Sequence, residues 1–190
     1  MGLLDVLFPK HCVNCRKFGS YLCTNCFTYI SFDTERSCLV CNRTVVDGLT
    51  HPGCRGKYTI DGSFAAIAYK GVVKKLMYQF KYQPYVSDLK QLLTEFFYES
   101  LIQQEAFDKV YRQKPVLVSI PLHNSKFRTR GYNQAQILAL GLARKLNLQM
   151  KEFLLRTKKT HSQYGLNKKE RVKNMKNAFS LSSPTPFPLP

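Results

Sequence analysis

Seven cysteines and one histidine form four pairs near the start of the chain: Cys12/Cys15, Cys23/Cys26, Cys38/Cys41 and His51/Cys54. Two residues separate the partners in each pair. That spacer lets a tight turn aim both side chains at one ion, and Zn²⁺ takes four such ligands in a tetrahedron. Four pairs supply two closed sites, and a site filled entirely by protein ligands is structural rather than catalytic. Sequential sites would join Cys12, Cys15, Cys23 and Cys26, then Cys38, Cys41, His51 and Cys54; a cross-brace would join the first pair to the third. The odd cysteine count argues against a complete disulfide framework. No βαβ pattern surrounds any pair, as a thioredoxin-like redox site would require.

A second group of residues suits anions. Val116–Ile120 is a short apolar run ending at Pro121, the pattern of a central parallel strand. Ligands of open parallel sheets sit at the carboxyl ends of strands. The segment that follows carries His123, Lys126, Arg128 and Arg130, then Gly131, Asn133 and Gln134 where the next helix starts. Guanidinium groups bind phosphate oxygens bidentately, a helix N-terminus offers free backbone N–H groups, and Gly131 allows a close backbone approach. His123 reads either as a hydrogen-bonding loop residue or as a catalyst. Further on, residues 151–176 hold nine Lys/Arg against Glu152 and Glu170, a net of +7. Within this stretch Arg156, Lys158, Lys159, Lys168, Lys169 and Arg171 share a polar loop with Gly165. Such a loop could close over a polyphosphate or track a nucleic-acid backbone.

These residues need elements to hold them. Residues 1–8 read as a short amphipathic segment ended by Pro9. Residues 12–56 are polar and turn-rich, as expected where metal replaces a hydrophobic core. From Gly62 the character changes. Ser63–Tyr69 (SFAAIAY) reads as a buried strand, and Gly71 opens a helix with Val72, Leu76, Phe80 and the stem of Lys75 on one face. A second helix is expected from Val86 to about Ala106, with Leu89, Leu92, Leu93, Phe96 and Phe97 as its stripe and Pro84 marking the break before it. Ala135–Leu146 is amphipathic and helical. Phe153–Leu155 and Ala178–Leu181 read as short strands, and the final SSPTPFPLP is too rich in proline to pack as helix or central strand. Strands alternating with helices predict an α/β fold. The expected division is a metal-binding module over 1–58 and an α/β domain over 59–190.

The chain has 190 residues, 44% of them hydrophobic, enough for a medium domain plus a small module. No run of about 18 apolar residues occurs, so no membrane insertion is expected. The start, MGLLDVLFPKHC, lacks a secretory pattern, which with the metal-type CxxC spacing predicts a reducing cytoplasm. The formal charge is 29 − 12 = +17. Two zinc sites with seven thiolates would leave about +14, and so basic a chain suits phosphate-bearing partners.

The order CxxC–CxxC–CxxC–HxxC, FAAIAYKG, KYQ, IPLH, RTRGYNQA, LLRTKKTHSQYGL and ERVKNMKNAF resembles ComF-family proteins over residue 3 to about 181. The resemblance implies an N-terminal double zinc ribbon, followed by a type I phosphoribosyltransferase-like parallel sheet with flanking helices, in a bacterial protein of competence and DNA uptake. It also implies sequential ribbons. Pro121, Leu122 and His123 match the strand-end loop expected to meet pyrophosphate. Arg128, Arg130, Gly131, Asn133 and Gln134 match an RGFNQ motif, with Tyr132 in place of phenylalanine. Arg156, Thr160, Gln163, Leu166, Arg171, Asn174 and Phe179 match the flexible-loop segment, in which Lys158 and Lys159 are further candidates. Cysteine is commoner at the place of His51, yet histidine is a good zinc ligand.

One motif of the transferase fold is missing. Two adjacent acids followed by Thr-Thr-Gly would hold the ribose hydroxyls and 5′-phosphate of phosphoribosyl pyrophosphate with Mg²⁺. The chain has no aspartate beyond Asp108, its later acids are Glu152 and Glu170, and no Thr-Thr-Gly occurs. The expectation is an incomplete domain that ends short of this motif and transfers no phosphoribosyl group by itself; no catalytic residue is assigned. A competing reading is a non-enzymatic module that binds single-stranded DNA through its basic loops, with Tyr132 and Tyr164 stacking on unpaired bases. A third makes the ribbons a docking platform for a competence helicase or another DNA-processing protein.

Overall fold

The computed structural model describes residues 9–82 and 87–182. The expected segment over 1–8, the break at Pro84, the helix start at Val86 and all but Ser182 of the proline-rich tail lie outside them. The chain divides into two compact units, Met1–Pro115 and Val116–Pro190. The boundary in packing therefore falls well after residue 58, where the composition changes.

The first unit opens on one hairpin built twice. Cys12 N–H donates to Lys17 O (2.8 Å) and Arg16 N–H to Cys12 O (2.9 Å); Cys38 N–H donates to Arg43 O (2.9 Å) and Asn42 N–H to Cys38 O (2.8 Å). Arg16 and Asn42 turn each hairpin with positive φ, 66° and 59°. Antiparallel bridges His11↔Phe18 and Ser37↔Thr44 close the two copies. The remaining cysteine pairs ride on single helical turns: α1 (Thr24–Phe27), capped by Cys23, and a 3-10 turn at Pro52–Cys54, capped by His51. Besides three cysteines, the buried apolar side chains among residues 9–62 are Val13, Ile30 and Val45.

Three helices supply the apolar core of this unit. Helix α2 (Gly71–Tyr82) buries Val72, Val73, Leu76 and Phe80. Its partner α3 (Ser87–Ile102) buries Leu89, Leu93 and Phe96, and α4 (Glu105–Tyr111) adds Ala106. Phe27 and Phe32 of the ribbon region close on Phe96 at ring separations of 5.8 and 5.9 Å. The expected single helix to Ala106 is two. The chain breaks at Gln104, which is buried and extended and donates its side-chain N–H to Ser100 O (3.0 Å). The expected strand at Ser63–Tyr69 is also absent. Its backbone bonds, Ser63 N–H to Gly48 O, Ala68 N–H to Ser31 O and Lys70 N–H to Ala68 O, form no ladder, and without one an apolar run is not a strand.

The second unit is α/β. Strand β1 (Leu117–Val118) runs parallel to β2 (Met150–Lys151), with Leu117 opposite Met150. Between them lie α5 (Asn124–Arg130) and α6 (Gln134–Leu146), the crossover a parallel pair needs. Strand β3 (Leu154–Arg156) pairs antiparallel with β4 (Phe179–Leu181), and α7 (Lys168–Met175) sits between them in sequence. Leu142, Ala143, Leu146 and Ala178 are the buried apolar residues. Strand β1 is parallel as expected but not central, because among the described residues its sheet has two strands. The polar stretches expected as loops each contain a helix, α5 and α7.

Candidate functional site

The four pairs converge as two tetrads. Cys12, Cys15, Cys23 and Cys26 form one, Cys38, Cys41, His51 and Cys54 the other, with the ligand atoms of each within 4.8 Å of one another. The grouping is sequential, so the cross-brace is excluded. Cys15 Sγ lies 3.5 Å from Cys23 Sγ, and Cys41 Sγ 3.3 Å from His51 Nδ1. Tetrahedral Zn²⁺ with Zn–S near 2.3 Å separates its ligands by roughly 3.5–3.8 Å, so both donor sets fit a structural zinc ion.

The groups around the tetrads favour thiolate at Cys12, Cys38 and Cys41, whereas Cys26, despite the Asn14 hydrogen bond, is pushed up to about 11 and Cys54 is also pushed up, each by burial and neighbouring thiols. Burial pushes the Cys12 thiol up, but the backbone N–H groups of Cys15, Cys23 and Asn14 outweigh it and bring it down to about 6. The Arg43 side chain, then its backbone, holds Cys41 at about 6. Asn14 donates to Cys26 Sγ (3.4 Å) and accepts from Lys75 Nζ (3.0 Å), tying the first tetrad to α2. Sequence reasoning missed Asn14 and Arg43. Their signal was position, one inside a CxxC and the other two residues past one.

In the second unit a cleft of about 650 Å³ opens beyond the carboxyl end of β1. Ser119, His123, Asn133, Gln136, Glu152 and Arg156 are among its lining residues. His123 caps α5: its Nδ1 accepts from Ser125 N–H (3.2 Å), which in the neutral ring leaves the proton on Nε2. Asn133 is buried and caps α6, accepting from Ala135 N–H (3.1 Å) and donating to Ile120 O (3.0 Å). Gln134 is buried and accepts from Arg130 Nη1 (3.2 Å). Gly131 does not line the cleft. Its φ of 79° makes the left-handed C-cap of α5, and an added Cβ would meet open space there, so this glycine is needed for the turn. Arg128 is exposed and also lies off the cleft lining. Gln136, bonded to Glu152 across the cleft, was not singled out by sequence, although it stands two residues past the RGYNQ start of α6.

Positive charge converges beside this cleft. Burial, and then the nearby charges of Arg156 and Arg130, hold Lys126 below the usual lysine range. Arg156 stacks over the Phe179 ring at 5.2 Å and donates from Nη2 to the Thr160 hydroxyl, while its buried Nε has no hydrogen-bond partner among the described residues. Of the other flexible-loop candidates, Asn174 accepts from His161 N–H (3.2 Å) and donates to His161 O (3.1 Å). Arg171 donates to Leu166 O (2.8 Å) and Lys158 Nζ to Lys176 O (3.3 Å). The Oε1 of Gln163 is buried without a partner among the described residues, and Lys159 is exposed. The segment is thus a tied loop between β3 and α7.

Among the described residues, no helix is long and apolar enough to cross a membrane. Residues 3–55 match the double zinc ribbon domain family. Competence protein F of Haemophilus influenzae is 40% identical over 74 residues, 38% of this chain and 32% of that protein. DNA utilization protein YhgH is 39% identical over 69 residues in Escherichia coli and 38% identical over 69 residues in Shigella flexneri. Each YhgH match covers 36% of this chain and 30% of the relative, so the chain spans about a third of the length of the curated relatives it matches. No solved structure matches the chain. The chain thus carries a double zinc ribbon with two sequential tetrads, and over about a third of its length it is similar to Competence protein F and YhgH.

Proposed function

We propose that this chain handles DNA during uptake, with two zinc-held ribbons as scaffold and the second unit binding single-stranded DNA through its phosphates. The relatives' names, competence and DNA utilization, support the process. The observation that carries the chemistry is the concentration of unneutralised cation in the second unit. Residues 116–190 hold 14 Lys/Arg against two acids, a net of +12, whereas residues 1–115 hold 15 against ten, a net of +5. Converging like charges at Lys126, Arg130 and Arg156 and the unmet Nε of Arg156 are relieved by an anion at that place.

The cleft at the end of β1 also supports a second reading. It is where the pyrophosphate of phosphoribosyl pyrophosphate would lie, with His123, Asn133 and Arg156 in the lining and the charges of Lys126 and Arg130 beside Arg156. The acid pair and Thr-Thr-Gly do not occur in the 190 residues, so these residues by themselves are proposed to transfer no phosphoribosyl group.

Fluorescence anisotropy of a labelled single strand tests the main reading. Exposed Arg128, Lys158, Lys159, Lys168 and Lys169 offer five phosphate contacts. At about −0.7 per contact these five contribute about −3.5 to the log–log salt slope, a loss of roughly 100-fold between 50 and 200 mM salt, beyond what Lys126, Arg130 and Arg156 add. Replacing the four lysines by glutamine should flatten the slope by about 2.8. Binding that is undetectable at low ionic strength, or insensitive to salt, refutes the proposal.

A further inference from the structure

We infer that Tyr164 is the stacking platform for an unpaired base, the contact by which this chain tells a single strand from a duplex. The inference rests on the single-strand binding proposed above and names the residue that reads the bases rather than the phosphates.

Tyr164 is 94% exposed, more than any other large hydrophobic side chain among the described residues. Neither a ring nor a cation covers it among those residues. Tyr58, at 86%, has Lys57 Nζ 5.5 Å from its ring centre and belongs to the less basic unit. Tyr132 is half-buried; burial raises its phenol, and its hydroxyl is engaged with Gln134, while Phe127, between Lys126 and Arg128, is 46% exposed and lines the cleft. That leaves Tyr132 part of the packing around α6 and Tyr164 as the most exposed face.

The backbone under Tyr164 is fixed on both sides. Upstream, Asn174 holds both backbone groups of His161, and Thr160 is buried under the Arg156 guanidinium. Downstream, Arg171 holds Leu166 O, while Asn167 and Glu170 exchange the reciprocal bonds of a capping box at the start of α7. Between these anchors Tyr164 N–H donates to Ser162 Oγ (3.2 Å), and Gly165 turns the chain at φ 80°. The tip is therefore ordered before any ligand arrives, which reduces the entropy lost on binding. Exposed Lys158 and Lys159 precede it and exposed Lys168 and Lys169 follow it. An aromatic face flanked by lysines suits a strand whose phosphates and bases are both accessible; paired bases offer no free face.

The chain contains no tryptophan, so Tyr164→Trp places a single reporter at the tip. Its emission should be quenched as oligo(dT) saturates the zinc-loaded chain, with saturation followed independently by anisotropy. Tyr164→Ala should weaken oligo(dT) binding by roughly 5- to 150-fold with an unchanged salt slope, and leave binding to an abasic strand or a duplex as in the parent. Tyr164→Phe should stay within about 2-fold of the parent, since the ring is kept. Unquenched tryptophan at saturation, or an alanine variant that binds oligo(dT) like the parent, overturns the inference and leaves phosphate binding standing. A parent chain that binds no single strand overturns the function proposed above, and this inference with it.

Discussion

Replacing Asn133 by alanine tests how the second unit holds its cleft. The side chain makes two bonds at once, capping α6 through Ala135 N–H and tethering the end of β1 through Ile120 O. Loss of a polar N-cap costs about 1 kcal/mol, and a lost neutral hydrogen bond about another 1. Ile120 is 59% exposed, so water can reach the freed carbonyl and no further penalty for a buried orphan is added. The sum, about 1.5–2.5 kcal/mol, is roughly a 10- to 70-fold shift in the opening equilibrium. Two compact units make a single two-state denaturation unsuitable. Hydrogen exchange of the amides in Gln134–Leu146 reads the unit directly. Asn133→Ser keeps a cap but cannot span to Ile120 O, so it should speed exchange by only about 5-fold. Serine and alanine variants that exchange alike would refute the capping part of the reasoning. An alanine variant that exchanges like the parent would refute both parts.

Three other outcomes are expected. The zinc-to-protein ratio should be near two; Cys38→Ser, at a thiol only 1% exposed, should lower it to about one. With little apolar burial in residues 9–62, a strong chelator should leave that region cleaved rapidly by protease; unchanged resistance after demetallation would contradict metal as the scaffold. The depressed Lys126 gives a pH signature. In the free folded chain its charged form is disfavoured, so stability rises as pH climbs through its lowered folded value towards the unfolded one, while affinity for phosphate falls over the same interval. Binding of oligo(dA) should therefore weaken with rising alkalinity in the parent and weaken less in Lys126→Arg, whose guanidinium does not titrate there. Identical profiles would remove Lys126 from the site.

The ligand tetrads were legible in sequence because each half-site is a local turn, and the spacing alone specifies it. Their sequential grouping followed from the family resemblance, and the Sγ and Nδ1 positions bear it out. The parallel strand at Leu117 and the helix ending at Leu146 were legible from a bounded apolar run and a 3.6-residue stripe. Failures fell where burial and periodicity part company. Helices α5 and α7 bury no residue, so neither shows an apolar stripe. Yet Asn167 followed three residues later by Glu170 is a capping-box signature that the charge density obscured. Ser63–Tyr69 failed for the opposite reason: its apolar run is real, but a strand exists only with a partner, and pairing is not written in the run itself.

The cleft was the hardest part to foresee because its walls meet only through the fold. Gln136 and Glu152 are 16 residues apart, and His123 and Arg156 are farther still. Elsewhere in this unit asparagines, rather than ion pairs, do much of the tying. Asn133 joins β1 to α6, Asn174 joins the loop to α7, and Asn167 starts α7, each with its amide or acceptor satisfied. Neutral side chains thus carry much of the local hydrogen bonding. Cations contribute where they reach carbonyls, as Arg171 and Lys158 do, but neither is neutralised by doing so. A carbonyl contact fixes a side chain's position and leaves its full charge available to an approaching phosphate. The same residues can therefore order the loop and attract DNA. Glutamine at Lys158 should then separate the two roles, because it keeps a donor for Lys176 O while removing the charge.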